Sequence, residues 1–268
     1  MNSFKRAFPL KTALLLFLSM FLISILMYPP TSSAGKFTGE VVEVIDGDTI
    51  RVRIERDIVT VRYLLIDTPE LHHPERPVEE LAEDARIANE ELVKERIVTL
   101  ETDTVTRDRY GRILAYVWLK EKDREVLVNE VMVLKGFALP MTIPPNTRYD
   151  ERISRAFRKA RKNSTGLWES VKGRIFTAEQ AWWEMPYIDG KFIILDLEVQ
   201  SIIQNGSRHI ILPSKGNFSV VIYDADWEEC SPIIPQKGES LKIAGKAETG
   251  FHGGEILLTD PCQIITGP

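Results

Sequence analysis

Apolar residues follow three regimes along this chain of 268 residues. From Ala13 to Met27 the run is almost unbroken. From Gly39 to Ile66 apolar and polar positions alternate, with Val42 and Val44, then Ile50, Val52 and Ile54, then Ile58 to Ile66. That period predicts three strands, joined at Asp46-Gly47-Asp48 and at Arg56-Asp57. Pro77 then predicts a helix start, because a first-turn residue needs no N–H. The helix runs to about Arg96, with Leu81, Ala85, Ala88 and Leu92 on one face. Ile97–Glu101 and Ile113–Trp118 read as strands, Val128–Lys135 as a short helix stopped by Gly136, and Tyr149–Lys162 as a longer one. Five strands and three helices over residues 37–169 predict a small α+β barrel, mainly β.

Residues 170–190 read as a connector, with Ala181-Trp182-Trp183 as a short helix docking on a neighbour. The period of two then returns in five short segments: 193–197, 209–212, 218–222, 241–245 and 255–258. Gly, Asn and Pro separate them, which predicts a second, smaller OB-like β-barrel over 191–268. Residues 1–34 stand outside both barrels. Lys5, Arg6 and Lys11 precede the apolar run, and Ser32-Ser33-Ala34 offers small residues where a signal peptidase cuts. The run of roughly 15 residues is short of the ~20 that span a bilayer. It reads as a signal peptide or, uncleaved, as an N-terminal membrane anchor; either way the rest of the chain is expected to be secreted or held at the outer face. In that compartment Cys230 and Cys262 are expected to form a disulfide, with two buried thiols as the alternative.

Charge changes the picture only locally. Residues 36–170 carry 23 basic and 26 acidic side chains, and residues 171–268 carry 8 and 13. Binding to a polyanion must therefore use patches, not overall charge. A basic stripe lies at Arg148, Arg152, Arg155, Arg158, Lys159, Arg161 and Lys162; a solvated helix face is the equal alternative.

The chemistry concentrates in three segments: Val44-Ile45-Asp46-Gly47-Asp48-Thr49, Arg62 to Glu70 (containing Asp67-Thr68-Pro69), and Asp108-Arg109-Tyr110-Gly111-Arg112-Ile113. Asp48 and Asp67 are two hard carboxylates at adjacent strand ends, suited to Ca²⁺ or Mg²⁺ and not to zinc. An Asp-Gly pair is also an ordinary turn, which leaves Asp46 evenly divided between roles. Arg62 and Arg112 can clamp one phosphate bidentately. Arg76 lies in the loop after Glu70, within reach of a substrate; His72 and His73 have no partner at ligand spacing and read as loop residues.

In order and spacing these segments resemble the staphylococcal nuclease (thermonuclease) family, over residues ~37–168. The resemblance implies a five-stranded OB-type barrel with three helices and a calcium-dependent endonuclease. The expected products are 3′-phosphate ends from DNA and RNA alike. It implies Asp48, Asp67 and the Thr68 carbonyl as Ca²⁺ ligands, and Glu70 as the group that orients or deprotonates water. Arg62 and Arg112 would stabilise the phosphate, and Arg109 and Tyr110 would contact a terminal phosphate. One departure stands out: Ala138 to Pro145 contains no aromatic ring where the family offers stacking tyrosines. A catalytically silent binding module of the same fold is the second reading, and the complete Asp48/Arg62/Asp67/Glu70/Arg112 set argues against it. For the second barrel, substrate recruitment and a structural role weigh equally. No protein partner is indicated, and a monomer is expected.

Overall fold

A computed structural model describes residues 35–71, 78–250 and 253–266. These belong to one compact unit, Ala34–Pro268; residues 1–34, expected to be a signal peptide or anchor, and His72, His73, Arg76 and Pro77 lie outside the described residues.

Alternation of buried and exposed positions builds the first barrel from β1 (Lys36–Val44), β2 (Thr49–Ile54) and β3 (Asp57–Tyr63). The third predicted strand divides at Leu65, whose φ of 64° lies in the left-handed region. After it comes β4 (Leu65–Asp67), which leaves the barrel to form a separate ribbon. The helix expected from Pro77 is described only as α1 (Ala82–Val93), behind Leu81 at φ 64°. It buries Ala82, Ala85, Ala88, Asn89 and Val93, while Leu81 and Leu92 only flank the core. Then follow β5 (Ile97–Arg107), β6 (Ile113–Glu121), β7 (Arg124–Leu127), α2 (Val128–Leu134) and β8 (Leu139–Met141). β8 pairs antiparallel with β4. Next are α3 (Asp150–Asn163) and the short α4 (Leu167–Ser170). β3 pairs with β6 in parallel and closes the sheet β3-β2-β1-β5-β6, so the strands run β1-β2-β3-β6-β5 around the barrel.

The connector holds β9 (Ile175–Thr177) and α5 (Ala178–Ile188), begun by a capping box between Thr177 and Gln180. The docking face of α5 is Ala178, Ala181, Met185 and Ile188. Trp182 and Trp183 point elsewhere: Trp183 is 75% exposed, so the tryptophans are not the anchors their bulk suggested. All five expected strands of the second barrel form: β10 (Phe192–Asn205), β11 (Arg208–Pro213), β12 (Phe218–Tyr223), β13 (Ser240–Gly250) and β14 (Gly253–Leu257). Between β12 and β13 sits α6 (Asp224–Cys230), and β15 (Ile264–Thr266) ends the described chain. β12 pairs with β14 in parallel and β13 closes on β10. The order β10-β11-β12-β14-β13 repeats the topology of the first barrel, an OB-like arrangement in both.

The two barrels share a seam. Phe192 and Ala244 are buried within the first barrel's core cluster, and the Trp168 ring meets Phe192 edge-on at 5.4 Å. Gly136 and Gly166 let the chain after α2 pass the start of α4, since a Cβ on Gly136 would lie 2.0 Å from the Thr165 carbonyl oxygen. Cys230 is buried in the second core while Cys262 packs on the first, and both thiols are free. The expected disulfide is absent because the two side chains serve different cores.

Candidate active site

The β1–β2 turn is held by its own side chains. Asp48 N–H donates to Asp46 Oδ1 at 3.1 Å, and the Asp46 carbonyl accepts from Asn89 of α1 at 3.1 Å. Gly47 permits the turn to press on Thr68, just past β4, and on α1: a Cβ there would lie 2.8 Å from the Thr68 side chain and 2.9 Å from Ala85. That approach lets Thr68 N–H donate to Asp48 Oδ2 at 2.9 Å, while the Thr49 hydroxyl donates to Asp48 Oδ1 at 3.0 Å.

The left-handed residue Leu65 bends the chain between Arg62 and Asp67 so that the two side chains meet. Arg62 reaches Asp48 Oδ2 and Asp67 Oδ1, each at 2.9 Å. It also donates to the carbonyls of Tyr63 at 3.0 Å and Ile66 at 2.8 Å. Burial opposes its charge, but Asp48, Asp67, Asp46 and Glu70 outweigh burial and hold the guanidinium ionised.

Carboxylates outnumber cations here. Burial, with repulsion from Asp46 and Asp67 only partly offset by Arg62, pushes Asp48 up from 3.8 to about 7. Asp46 is raised too, first by burial and further by Glu70, against hydrogen bonds from Asp48. Glu70 rises through burial and the charges of Asp48 and Asp67. Its backbone is clipped reciprocally to Glu79: Glu70 N–H donates to Glu79 Oε2 at 3.0 Å, and Glu79 N–H to the Glu70 carbonyl at 3.0 Å. No described hydrogen bond engages the Glu70 carboxyl itself.

Arg62 and Arg112 line one cleft of about 440 Å³, with Arg107, Arg109, Met141 and Ile143. Asp108 fixes Arg112, accepting from its Nε at 2.6 Å and its backbone N–H at 2.9 Å. Burial works against the Asp108 charge, yet these hydrogen bonds hold its carboxyl below the usual range. The terminal nitrogens of Arg112 have no hydrogen-bond partner among the described residues. The Tyr110 ring, 68% exposed, lies 4.8 Å from the Arg109 guanidinium and 5.6 Å from that of Arg112.

The family model described as "Staphylococcal nuclease homologue" matches residues 60–170. A thermonuclease from Staphylococcus hyicus is 36% identical over 139 residues, which span 52% of this chain and 80% of that protein. The chain belongs to the staphylococcal nuclease family. A second thermonuclease, from Staphylococcus intermedius, is 35% identical over 47% of this chain and 73% of its own length. The SPbeta prophage-derived endonuclease YokF of Bacillus subtilis (strain 168) is 39% identical over 46% of this chain and 41% of its own. The protein is thus a nuclease with nucleic acid as substrate.

In this nuclease the structure brings Asp48, Arg62, Asp67 and Thr68 into direct contact and places Glu70 on the same segment; Arg112 faces the cleft from the turn just before β6. Arg109 and Tyr110 sit at the exposed rim, and Arg76 is outside the described residues. Three residues of the basic stripe at 148–162 are engaged by other parts of the chain. Arg148 pairs with Glu101 at 2.6 Å, Arg152 with Glu130 at 2.5 Å, and Arg161 donates to the carbonyls of Cys262 and Ile264. Sequence reasoning missed Glu79 and Lys246. Lys246 of β13 stands 3.7 Å from Asp67 Oδ2 and 3.4 Å from Glu79 Oε2. No local motif marks either residue; only the docking of the second barrel joins them.

Proposed function

We propose that the chain is an exported, calcium-dependent endonuclease that hydrolyses DNA and RNA with little sugar specificity, leaving 3′-phosphate ends. The observation that carries this reading is the Asp48–Arg62–Asp67 cluster, with Glu70 three residues further along the same segment and Arg112 lining the cleft that Arg62 also lines. Export is supported by the basic, apolar and small-residue succession of residues 1–34, as a cleaved signal or an anchor.

The donor set fits a hard divalent cation. Asp48 and Asp67 offer carboxylates, the neighbouring Asp46 and Glu70 add uncompensated negative charge, and the buried Thr68 Oγ1 has no hydrogen-bond partner. Asp48, Asp67 and the Thr68 carbonyl would hold Ca²⁺, which when bound supplies charge neutralisation at a phosphate oxygen. Such a ligand set is sparse, so substrate and water complete it.

The chain's own groups do the rest. Glu70, anchored through Glu79, takes the proton of the attacking water, a contribution of about 10²–10⁴ in rate. Arg112 presents its terminal nitrogens to the phosphate while Asp108 fixes Nε. Arg62, gripped by two backbone carbonyls, presents a fixed positive charge at the metal side of the cleft. Digestion of single-stranded DNA with calcium, with excess chelator, and with a Glu70→Gln protein tests the reading, with end-group analysis of products. Activity that survives chelation or the Glu70→Gln change refutes the mechanism; 5′-phosphate ends refute the assigned cleavage side.

A further inference from the structure

Lys246 is the feature the nuclease motifs leave unexplained. It belongs to β13 of the second barrel, and its side chain is only 18% exposed. Its ammonium lies 3.0 Å from Glu248 Oε1, 3.4 Å from both oxygens of Glu79 and 3.7 Å from Asp67 Oδ2. Glu79, 6% exposed at its side chain, is the residue whose carboxylate and N–H hold the backbone of Glu70. The approach is built into the fold on both sides. Gly190 N–H donates to the Ala247 carbonyl at 2.8 Å and Ala247 N–H to Lys191 at 2.9 Å, pinning the strand beside Lys246. Gly190, at φ +76°, leaves room for Glu79, whose Cγ would lie 3.1 Å from a Cβ there. The adjacent Glu80 is gripped as well, by Arg174 of the connector at 2.5 and 2.8 Å.

We propose that Lys246, delivered by the second barrel, is a positioning residue of the nuclease centre: its ammonium holds the Glu79 carboxylate that carries Glu70 and stands as a fixed positive charge beside Asp67. The second barrel is then part of the active site and not an independent module. This rests on the roles given above to Asp67 and Glu70.

Two consequences separate positioning from mere stability. A buried carboxylate without its cation seeks water or another partner, so loss of Lys246 loosens Glu79 and with it the Glu70 backbone. Misplacing a catalytic group by about 1 Å costs roughly a hundredfold in rate. Asp67 stays gripped by Arg62 at 2.9 Å, so removing the ammonium leaves the Asp67 carboxylate in place and takes away repulsion toward a metal. Turnover and metal affinity therefore move in opposite directions.

The test uses the full mature chain with Lys246→Met, Lys246→Gln (which keeps a hydrogen-bond donor should the methionine protein not fold) and Lys246→Arg. Calorimetric titration with calcium alone gives metal affinity, and DNA digestion at saturating calcium gives kcat and KM. For the neutral variants the expected result is a fall in kcat of roughly tenfold to a hundredfold, with KM within about twofold. Calcium binding is expected to tighten by about threefold or more. Lys246→Arg restores wild-type calcium affinity and recovers part of kcat. Unchanged kcat in a folded neutral variant overturns the proposal, as does a parallel fall of kcat, calcium affinity and thermal stability. Glu70→Gln runs alongside: if it stays active the assigned centre itself is wrong, whereas an inactive Glu70→Gln with a normal Lys246→Gln removes only the role of Lys246.

Discussion

Asp48→Asn should make the metal-free protein more stable while abolishing its calcium response. Asp48 is buried, and its carboxyl titrates at about 7 against an ordinary 3.8, first through burial and then through Asp46 and Asp67, with Arg62 in opposition. An acid whose folded-state pKa is raised contributes stability that is complete below 3.8 and lost as pH rises through about 7. At ~1.4 kcal/mol per pH unit the full interval corresponds to about 4 kcal/mol of stability missing at pH 8. Asparagine is nearly isosteric with the neutral acid. Its oxygen can accept from Thr68 N–H and Arg62, while its amide replaces Oδ1, where the Thr49 hydroxyl turns from donor to acceptor. Because Arg62 loses one ionic partner and keeps Asp67, the expected gain is about 2–4 kcal/mol, or roughly 4–16 °C in Tm for a chain of this size. Thermal unfolding in chelator, followed from pH 8 down to pH 4, measures it. The gain should shrink steadily on acidification, and added calcium should raise Tm of the native protein but not of Asp48→Asn. An asparagine protein no more stable than native at pH 8, or a gain that persists unchanged at pH 4, refutes the reasoning.

Arg112→Lys keeps the charge but loses the fork that lets Nε bind Asp108 while two nitrogens face the cleft; kcat should fall by about 10²-fold in steady-state digestion with little change in Tm. Ile143 lines the cleft and is 65% exposed, so Ile143→Tyr should supply a stacking face, worth ~1–3 kcal/mol per base and read as a KM for single-stranded DNA at least about fivefold lower. Since Cys230 and Cys262 are both free thiols, excess reductant should leave Tm within about 1 °C, where loss of a disulfide would cost ~2–5 kcal/mol. The activity of the native enzyme should fall as acidification protonates Glu70, with the acid limb above the ordinary glutamate range, because burial and the charges of Asp48 and Asp67 raise its pKa.

Both barrels were legible in the order of residues. Alternation is a local property: Val52 or Ile243 must face a core whatever the chain does elsewhere, and Asp-Gly or Asn-Gly between such runs fixes where strands turn. The candidate-site segments stood out for the same reason, since Asp48, Arg62, Asp67, Glu70 and Arg112 lie on short stretches whose turns bring them to or near strand ends. Element limits were less so. Leu65 breaks a run that reads as one strand, because pairing with β8 pulls it off the barrel, and α1 centres its expected face on Ala85 and Ala88, leaving Leu81 and Leu92 at the flanks. What only the tertiary structure decided are pairings across long stretches of chain. Arg148, Arg152 and Arg161 look like part of a polyanion track until Glu101, Glu130 and the carbonyls of Cys262 and Ile264 come to meet them. Cys230 and Cys262 look like a pair until each is claimed by a different core. Lys246 is an unremarked lysine in an alternating strand until the second barrel docks through Phe192 and Ala244 and sets it against Asp67 and Glu79. Backbone periodicity encodes the elements locally, but the partners of a buried charge are set by how finished surfaces pack, and no short stretch of sequence records that.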